Sequence, residues 1–375
     1  MTCDNNTTSF CLQQLLLTII DDFSIIYSQV GGIALKILLL SGGAGKRLWP
    51  LSSEILPKPF MKIIRNPSGG SVSMLQRTWG ILARKFGPDN IFVVANRHHQ
   101  AVLEDQLGPK ASLILEPAQR DTFPAISLAA SYLAHHVGAN PDETVIVLPV
   151  DAYTEPSFYD LLTDLDRLIA ADKARIGLIG VKPTHPSEKF GYVIPLPAPE
   201  ASYYYVGGFH EKPDRQSALA FMQRNALWNG GVFAFKLNEM RQIVLDHNLP
   251  WSYEELYDRY DAFPRISFDY MVVEPEKNIL CVAYEGKWTD LGTWSDMVNA
   301  FEPDNGNNVI QDDNCLDTYV INQLSIPIIV TGISNAIIAA GPDGILISDK
   351  NATHTIKPLV ERLSPDSSEQ GESEL

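Results

Sequence analysis

From residue 36 onward, short apolar runs alternate with longer segments of mixed polarity, and no other feature of the chain constrains its fold as strongly. Apolar runs of this length are typical of strands buried on both faces, and the longer segments have the pattern of helices that cover a sheet. The runs predict strands over residues 36–40, 91–95, 112–115, 144–149 and 176–181. The mixed segments predict helices over residues 73–86, 125–136 and 158–171. We therefore expect an α/β fold with an open, doubly wound, mostly parallel sheet.

Beyond about residue 300 the apolar runs become brief and closely spaced, and long helical patterns stop. Glycines separate these runs and provide turns, which predicts a small β unit of solenoid type. We expect a large α/β domain over residues 36–300 and the β unit over 301–362. Residues 363–375 are polar and acidic, a composition typical of a disordered tail.

Residues 1–35 differ from the rest of the chain. Their apolar run, 15–20, is preceded by acidic Asp4 instead of a basic region, and Asp21 and Asp22 interrupt it, which argues against a signal peptide. The run is also too short to span a bilayer. We interpret residues 1–35 as an extension, with a mis-assigned start as the hypothesis, and we expect no membrane association.

The net charge of −16 argues against a nucleic-acid surface, because binding a phosphate backbone requires a concentrated positive face. The four cysteines form no C-x-x-C pair and no cluster of zinc spacing, so free thiols in a reducing cytoplasm are expected. Any anionic ligand must therefore be met by a local basic pocket.

Such a pocket is predicted directly after the first strand, where residues 41–52 read S-G-G-A-G-K-R-L-W-P-L-S and 57–60 read P-K-P-F. Glycines let backbone amides approach phosphates closely, and lysine and arginine supply the charge. The glycines and cations are Gly42, Gly43, Gly45, Lys46, Arg47 and Lys58. Neither the P-loop nor the dinucleotide fingerprint fits this spacing. The glycines alone would suit a plain strand-to-helix turn equally well.

With the following Arg-Leu-Trp-Pro and Pro-Lys, residues 42–60 resemble the loop of the mannose-1-phosphate guanylyltransferase (GDP-mannose pyrophosphorylase) family, G-G-x-G-x-R-L-W-P-L-S-R-x-x-x-P-K-Q-F. The chain departs from this pattern at Ser53, where the family has Arg, and at Pro59, where it has Gln. The resemblance implies that Arg47 holds the triphosphate and that Lys58 reaches the phosphates at the reacting centre. Gly42 and Gly43 would lie against the base and ribose, with Gly45 and Lys46 in the same loop.

A second motif, residues 116–125, resembles the family segment E-P-x-x-R-N-T-A-P-A, which lies near the nucleotide base. The resemblance makes Glu116 and Arg120 nucleotide-binding residues. Asp121 stands where the family has Asn, which replaces a donor-acceptor amide by an acceptor-only carboxylate.

Two carboxylates are candidates for a metal site. The apolar run 145–150 ends in Asp151, at a position where an open α/β sheet presents ligands to substrate phosphates, although an Asp there could instead cap the next helix. Residues 288–294, W-T-D-L-G-T-W, resemble the family's W-x-D-x-G-x-W. The resemblance implies that Asp151 and Asp290 together hold Mg²⁺.

Three further segments resemble family motifs of the sugar-binding site. They are F-G-Y at 190–192, F-H-E-K-P at 209–213 and W-N-G-G-V-F at 228–233. The resemblance implies that Gly191, Glu211 and Asn229 bind the sugar and that Lys212 binds its phosphate. Residues 267–274 resemble a family segment that shapes the sugar pocket. Residues 318–350 resemble the family's C-terminal appendage, a left-handed β-helix, and the larger domain would be a GT-A-like nucleotidyltransferase domain.

The resemblance implies transfer of GMP from GTP to mannose 1-phosphate, giving GDP-mannose and pyrophosphate for polysaccharide biosynthesis. Arg47, Lys58 and Lys212 would be the catalytic cations. Three alternatives remain open: another pair of sugar 1-phosphate and nucleotide, a non-catalytic subunit that senses sugar nucleotides, and a glycosyltransferase, although the D-x-D motif of the last is missing near Asp151. The chain ends before the isomerase domain of bifunctional relatives, so a single activity is expected. The sequence leaves the oligomeric state open, a homodimer included.

Overall fold

A computed structural model describes residues 35–42, 48–53, 56–66, 69–109, 111–198, 202–301 and 308–363. By its internal contacts the chain divides into Met1–Leu35 and Lys36–Leu375, and the second unit contains every element given below except the first residue of β1. The expectations for the N-terminal extension and the disordered tail fall on residues outside the described ranges, apart from Leu35 and Leu363.

The strands up to residue 236 include the five predicted from the apolar runs. They are β1 (Leu35–Leu40), β2 (Ile64–Arg65), β3 (Ser71–Val72), β4 (Ile91–Asn96), β5 (Ser112–Glu116), β6 (Thr144–Pro149), β7 (Ala152–Thr154), β8 (Ile176–Val181), β9 (Tyr192–Pro197), β10 (Tyr204–His210) and β11 (Leu227–Lys236). The predictions are confirmed as β1, β4, β5, β6 and β8, to within one residue at each end. The remaining strands are β12 (Ile279–Tyr284), β13 (Trp288–Asp290), β14 (Val309–Gln311), β15 (Tyr319–Asn322), β16 (Ile328–Val330), β17 (Ala336–Gly341) and β18 (Gly344–Asp349).

The three predicted helices are also present, with shifted ends. The α-helices are α1 (Met74–Phe86), α2 (Gln100–Leu107), α3 (Thr122–Tyr132), α4 (Leu161–Ala170), α5 (Arg215–Gln223), α6 (Leu237–Asp246), α7 (Tyr253–Asp258), α8 (Trp294–Ala300) and α9 (Ile356–Glu361). Helix α1 begins after Ser73, whose side chain forms a capping box with Gln76. Among the described residues, no helix is long and apolar enough to cross a membrane.

Nine strands form the central sheet in the order β5-β4-β1-β6-β11-β8-β12-β10-β9. Strand β1 is parallel to β4, β4 to β5, and β8 to β12, as expected for a doubly wound fold. The expectation of a mostly parallel sheet is wrong, however, because β11 runs antiparallel to both β6 and β8, and β10 runs antiparallel to β9 and β12. The sheet is mixed because a ten-residue strand enters its centre in the reverse direction.

The larger hydrophobic core lies where α3, α6 and α7 pack on the sheet. Nine consecutive residues of α3, from Phe123 to Ser131, are buried, so this helix is covered on all sides. A close contact of another kind occurs at β8, where a Cβ on Gly177 would lie 3.0 Å from Leu165 of α4. Helix α4 therefore packs unusually close to the sheet.

The C-terminal strands form two small sheets, β14-β16 and β15-β17-β18. These strands agree with the predicted small β unit, whereas the coil of a β-helix stays a prediction. A second hydrophobic core joins this unit to the larger domain: Leu51, Met74 and Trp294 pack in one cluster with Ile337 and Ala339 of β17. The C-terminal strands thus share a core with the segment that follows the predicted phosphate loop.

Candidate functional site

A cleft of about 390 Å³ opens at the carboxyl ends of β1, β4, β5 and β6. It is lined by Leu40, Ser41, Gly42, Val94, Asn96, Glu116, Gln119, Arg120, Asp121, Thr122, Ala125, Pro149 and Asp151. The backbone N–H of Ser41 donates to the Val94 carbonyl at 2.8 Å, and that of Val150 donates to the Leu40 carbonyl at 3.2 Å, which holds the strand ends together. This strand-end cleft is where an open α/β sheet binds its ligands.

The cleft brings together four predicted residues from three separate motifs, namely Gly42, Glu116, Arg120 and Asp151. The other predicted loop residues, Gly43, Gly45, Lys46 and Arg47, lie outside the described residues. Their predicted roles stay predictions.

The segment that leaves the loop, residues 49–51, is held by two other parts of the chain. The indole N–H of Trp294 donates to the Trp49 carbonyl at 3.1 Å. From the C-terminal unit, a Cβ on Gly341 would lie 2.9 Å from the Pro50 carbonyl oxygen, and one on Gly344 would lie 2.6 Å from the Trp49 ring. Glycines at the β17–β18 turn therefore allow this turn to contact the end of the loop directly.

Lys58 lies between the two carboxylates predicted to bind a metal. Its Nζ is 3.4 Å from Oδ2 of Asp151 and 3.2 Å from Oδ1 of Asp290. The two carboxylates lie close together because β7 and β13 form a short antiparallel pair. This pair places Asp290 opposite Ala152, the residue after Asp151. Burial alone would lower the pKa of the Lys58 ammonium, but the two carboxylates outweigh it and raise that pKa above its ordinary value.

The carboxylate pair fits the ligands that Mg²⁺ requires. The side chains of Asp151 and Asp290 are 43% and 33% exposed, so their oxygens are accessible, and with Lys58 the group carries a formal charge of about −1 at neutral pH. Mg²⁺ in proteins commonly takes one or two carboxylates and completes its shell with substrate phosphates and water. No group of three or more acidic, histidine or cysteine side chains that could hold a metal ion occurs in the described parts of the chain.

Glu116 lies at the wall of the cleft and is only 8% exposed. Burial raises the pKa of its carboxyl to about 7, and a hydrogen bond from the Tyr260 hydroxyl to Oε1 opposes that shift. Burial also raises the pKa of the Tyr260 phenol, and the nearby Glu116 charge adds to the effect. Tyr260 therefore stays a neutral hydrogen-bond donor.

Arg120 forms hydrogen bonds with residues that directly follow Tyr260 in the chain. Its Nη1 donates to the Phe263 carbonyl at 3.0 Å and its Nη2 donates to Asp261 Oδ1 at 3.1 Å. The Arg120 Nε is buried and has no hydrogen-bond partner among the described residues, so it is a candidate donor to a ligand. Sequence reasoning missed residues 260–263 entirely, since nothing in their local pattern indicates a site.

Asp121 keeps the local role of an acceptor despite departing from the family pattern. Its Oδ1 accepts from the Thr122 backbone N–H at 2.8 Å, at the start of α3. Its φ of 71° with ψ of −175° is a backbone conformation that side chains with a Cβ rarely adopt, so this cap is strained. A cap of this kind needs only an acceptor, so the carboxylate can serve here as an amide would.

The predicted sugar-binding residues form a second cluster. Asn229 donates from Nδ2 to Asp269 Oδ1 at 2.6 Å and from its backbone N–H to the Gly191 carbonyl at 2.8 Å. A Cβ at Gly191 would displace Glu211 Oε2, so the glycine leaves room for that carboxylate in its present position. The Glu211 Oε2 atom is buried without a hydrogen-bond partner in the described ranges, and it is a candidate acceptor for a ligand hydroxyl.

Lys212 is more exposed than the rest of this cluster. Its Nζ lies 2.7 Å from Glu211 Oε1 and 5.9 Å from the centre of the Tyr270 ring. Burial lowers its pKa, but the bond to Glu211 outweighs that effect and the pKa is raised. Burial also raises the pKa of the neighbouring Asp269 to about 6, with the charge of Glu211 as the next cause.

Aromatic rings connect the second cluster to the strand that ends at Asp290. The Phe190 ring lies 4.9 Å from that of Trp228 and 5.2 Å from that of Trp288, centre to centre. Phe190 precedes Gly191, Trp228 precedes Asn229, and Trp288 begins the strand that ends at Asp290. The predicted sugar residues are therefore adjacent to β13, although none of them lines the strand-end cleft.

Comparisons with known proteins agree with these motifs. A family model described as nucleotidyl transferase matches residues 36–306. A mannose-1-phosphate guanylyltransferase of Salmonella muenchen is 30% identical, and the match covers 87% of this chain and 72% of the relative. The xanthan biosynthesis protein XanB of Xanthomonas campestris pv. campestris is also 30% identical, with the same coverage of 87% and 72%.

A solved structure supports the same assignment. It comes from Thermus thermophilus and is described as a mannose-1-phosphate geranyltransferase; it superposes with a TM-score of 0.72 at 29% identity and covers 88% of this chain and 99% of its own. This chain therefore belongs to the nucleotidyl transferase family, and the resemblance of its motifs to the mannose-1-phosphate guanylyltransferases is confirmed.

Proposed function

We propose that the chain transfers GMP from GTP to mannose 1-phosphate, giving GDP-mannose and pyrophosphate. The observation that carries the proposal is the position of Lys58 between Asp151 and Asp290, beside a cleft that Asp151 itself lines. A cation and two carboxylates at the mouth of a nucleotide-sized cleft suit the transfer of a phosphoryl group that is itself strongly charged.

The choice of nucleotide is supported by Glu116. Guanine presents two adjacent donors, N1–H and the 2-amino group, and a carboxylate has two oxygens that can accept from both. Adenine presents an acceptor at N1, and uracil offers only one donor on that edge. Glu116 is the acidic side chain at the end of β5 that lines the cleft, so we assign it to the guanine edge.

The choice of sugar is supported by the second cluster and by the Salmonella relative, which is named a mannose-1-phosphate guanylyltransferase. Glu211 and Asn229 would bind sugar hydroxyls, with Gly191 leaving room for the Glu211 side chain. Lys212, a compact cation at the rim of this cluster, would bind the sugar phosphate.

In the reaction, an oxygen of mannose 1-phosphate attacks the α-phosphorus of GTP. A new P–O bond forms, the bond from the α-phosphorus to the bridging oxygen of the β-phosphate breaks, and pyrophosphate leaves with that electron pair. A phosphate monoester has its second pKa at about 6, so the nucleophile is already ionised at neutral pH and needs no general base. This accounts for a site made of cations and carboxylates.

The protein's part is therefore to position two polyanions and to neutralise their charge. Lys58 would contact phosphate oxygens near the α-phosphorus, and Arg47 and Lys212 would bind the triphosphate and the sugar phosphate. Mg²⁺, which Asp151 and Asp290 would hold, supplies further neutralisation of the phosphates when bound.

A panel of substrates tests the proposal. Pyrophosphate release is measured for GTP, ITP, ATP, UTP and dTTP, each with mannose 1-phosphate and glucose 1-phosphate. We expect GTP with mannose 1-phosphate to give the highest kcat/KM, and ITP, which lacks the 2-amino group, to be about tenfold worse. A preference for UTP or dTTP would contradict the assignment, and binding of GDP-mannose without turnover of any pair would indicate a sensing subunit.

A further inference from the structure

The segment Tyr260–Phe263 contacts both polar side chains of the E-P-x-x-R motif, although it follows that motif by about 140 residues. Tyr260 donates to Glu116, and Asp261 and the Phe263 carbonyl accept from Arg120. One short segment thus fixes two side chains of the cleft wall.

Tyr260 is a rigid donor. Its side chain is 1% exposed, its ring lies 5.6 Å from that of Phe263, and it belongs to the larger core. The ring cannot move without disturbing that core, so the hydroxyl has a fixed position. Its hydrogen bond uses one lone pair of Glu116 Oε1, which orients the carboxylate and leaves Oε2 and the second lone pair of Oε1 for two donors of a ligand.

We propose that Tyr260 is a positioning residue that orients the Glu116 carboxylate for recognition of the nucleobase. The proposal rests on the proposed function in one respect, that the strand-end cleft binds a nucleotide. It goes beyond that function by assigning base recognition to a residue that does not touch the base.

The electrostatics around Glu116 support this role. Its pKa is about 7 because burial raises it and the Tyr260 hydroxyl partly offsets the rise. The other ionisable side chains that line the cleft are Arg120, Asp121 and Asp151. Near neutral pH, Glu116 is therefore divided between its two forms, and only the ionised form accepts from two guanine donors. Without the hydroxyl, the protonated form would predominate.

The test is the pH dependence of kcat/KM for the nucleotide in Tyr260→Phe, with the sugar phosphate saturating. In the unaltered protein we expect kcat/KM to rise with pH through a midpoint at about 7. In Tyr260→Phe the midpoint should move up by about one pH unit, and kcat/KM at pH 7 should fall by about fivefold while kcat changes little. A purely structural role would lower activity without moving the midpoint.

Tyr253→Phe is the matched control. It removes a hydroxyl from a neighbouring helix residue whose ring packs on Tyr132 and His136, and Tyr253 does not line the cleft. Its pH profile should match that of the unaltered protein. An unmoved midpoint in folded Tyr260→Phe would overturn the proposal.

A second variant keeps the proposal testable if Tyr260→Phe does not fold. Glu116→Gln can still accept from the Tyr260 hydroxyl but cannot ionise, so the midpoint at about 7 should disappear and leave only the ionisation of the substrate phosphate at about pH 6. Persistence of the midpoint at about 7 would overturn the proposal. Should the substrate panel show UTP instead of GTP as the nucleotide, the proposed function fails, yet the same pH profiles measured with UTP still decide the role of Tyr260.

Discussion

The Nζ of Lys58 lies 3.2 Å from Oδ1 of Asp290, a residue 232 positions later in the chain. The contact depends on β13 pairing with β7, which also places Asp151 within 3.4 Å of the same ammonium. Because Lys58 neutralises only part of the charge of the two carboxylates, the group keeps a net negative charge, which would favour a further cation.

Asp151→Asn and Asp290→Asn should each lower kcat by about 100-fold if the proposed metal site is correct, because each removes a charged ligand from the proposed site of phosphoryl transfer. Steady-state pyrophosphate release at varied Mg²⁺ concentration measures this, and titration with Mn²⁺ in the presence of nucleotide reports cation binding separately. The exposed Asp313→Asn is the control. Near-normal turnover in either site variant would remove the proposed metal site.

Lys212→Ala should raise KM for the sugar phosphate by about tenfold and change KM for the nucleotide little, because its cation lies in the cluster assigned to the sugar. Both KM values are obtained by varying one substrate at saturation of the other. Lys277→Ala removes an exposed lysine outside the site and should change neither. An equal rise in both KM values for Lys212→Ala would argue against a separate sugar-phosphate site.

Glu116 should also make the ligand-free protein less stable as pH rises. Its folded pKa of about 7 lies above its ordinary value of 4.5, so between these values the unfolded state ionises while the folded state stays protonated. The free energy of unfolding therefore loses roughly 3 kcal/mol from this group between pH 4.5 and pH 7, and the loss is complete above the folded pKa.

Glu116→Gln removes this effect. The free energy of unfolding is measured with urea for both proteins at about pH 8 and at about pH 4.5. The variant's value minus that of the unaltered protein should be larger at about pH 8. Comparing the two pH values cancels any difference in packing between the two side chains. The same stability difference at both pH values would show that the carboxyl is not buried in its neutral form.

Gly341→Ala should weaken nucleotide binding through the C-terminal unit. A Cβ there would lie 2.9 Å from the Pro50 carbonyl oxygen and 2.7 Å from a Leu51 methyl, so residues 49–51 must shift. We expect KM for the nucleotide to rise several-fold, because these residues end the predicted phosphate loop. Nucleotide KM and thermal unfolding are both measured.

Gly332→Ala is the control for this substitution. Gly332 has φ of +64° and open space around its Cβ position, so alanine there costs about 1 kcal/mol of backbone strain without touching the loop. The Gly332→Ala variant should be less stable than the unaltered protein and should have the same KM for the nucleotide. A rise in KM for both variants would attribute the effect of Gly341→Ala to general destabilisation.

Much of the fold follows from local sequence signals. The strands at 144–149 and 176–181 were predicted with their observed ends, because an apolar run bounded by turn residues is a local pattern. The cleft was expected directly after Leu40, since a parallel sheet exposes its carboxyl ends on one edge, and Gly42, Glu116, Arg120 and Asp151 do line it. Motif resemblance paired Asp151 with Asp290, and they do lie on either side of one ammonium group.

The sequence by itself therefore determined five strands and three helices of the larger domain and which motif residues belong to a nucleotidyl transferase. Only the tertiary structure decided that β11 runs antiparallel to its neighbours in the sheet and that Lys58 lies between the two carboxylates. It also decided that the Tyr260 hydroxyl donates to Glu116. Periodicity along the chain reports which side of an element is buried, but not which distant element covers it. Contacts across 93 to 232 residues depend on strand order and direction, which hydrogen bonding and core packing of the whole chain select together.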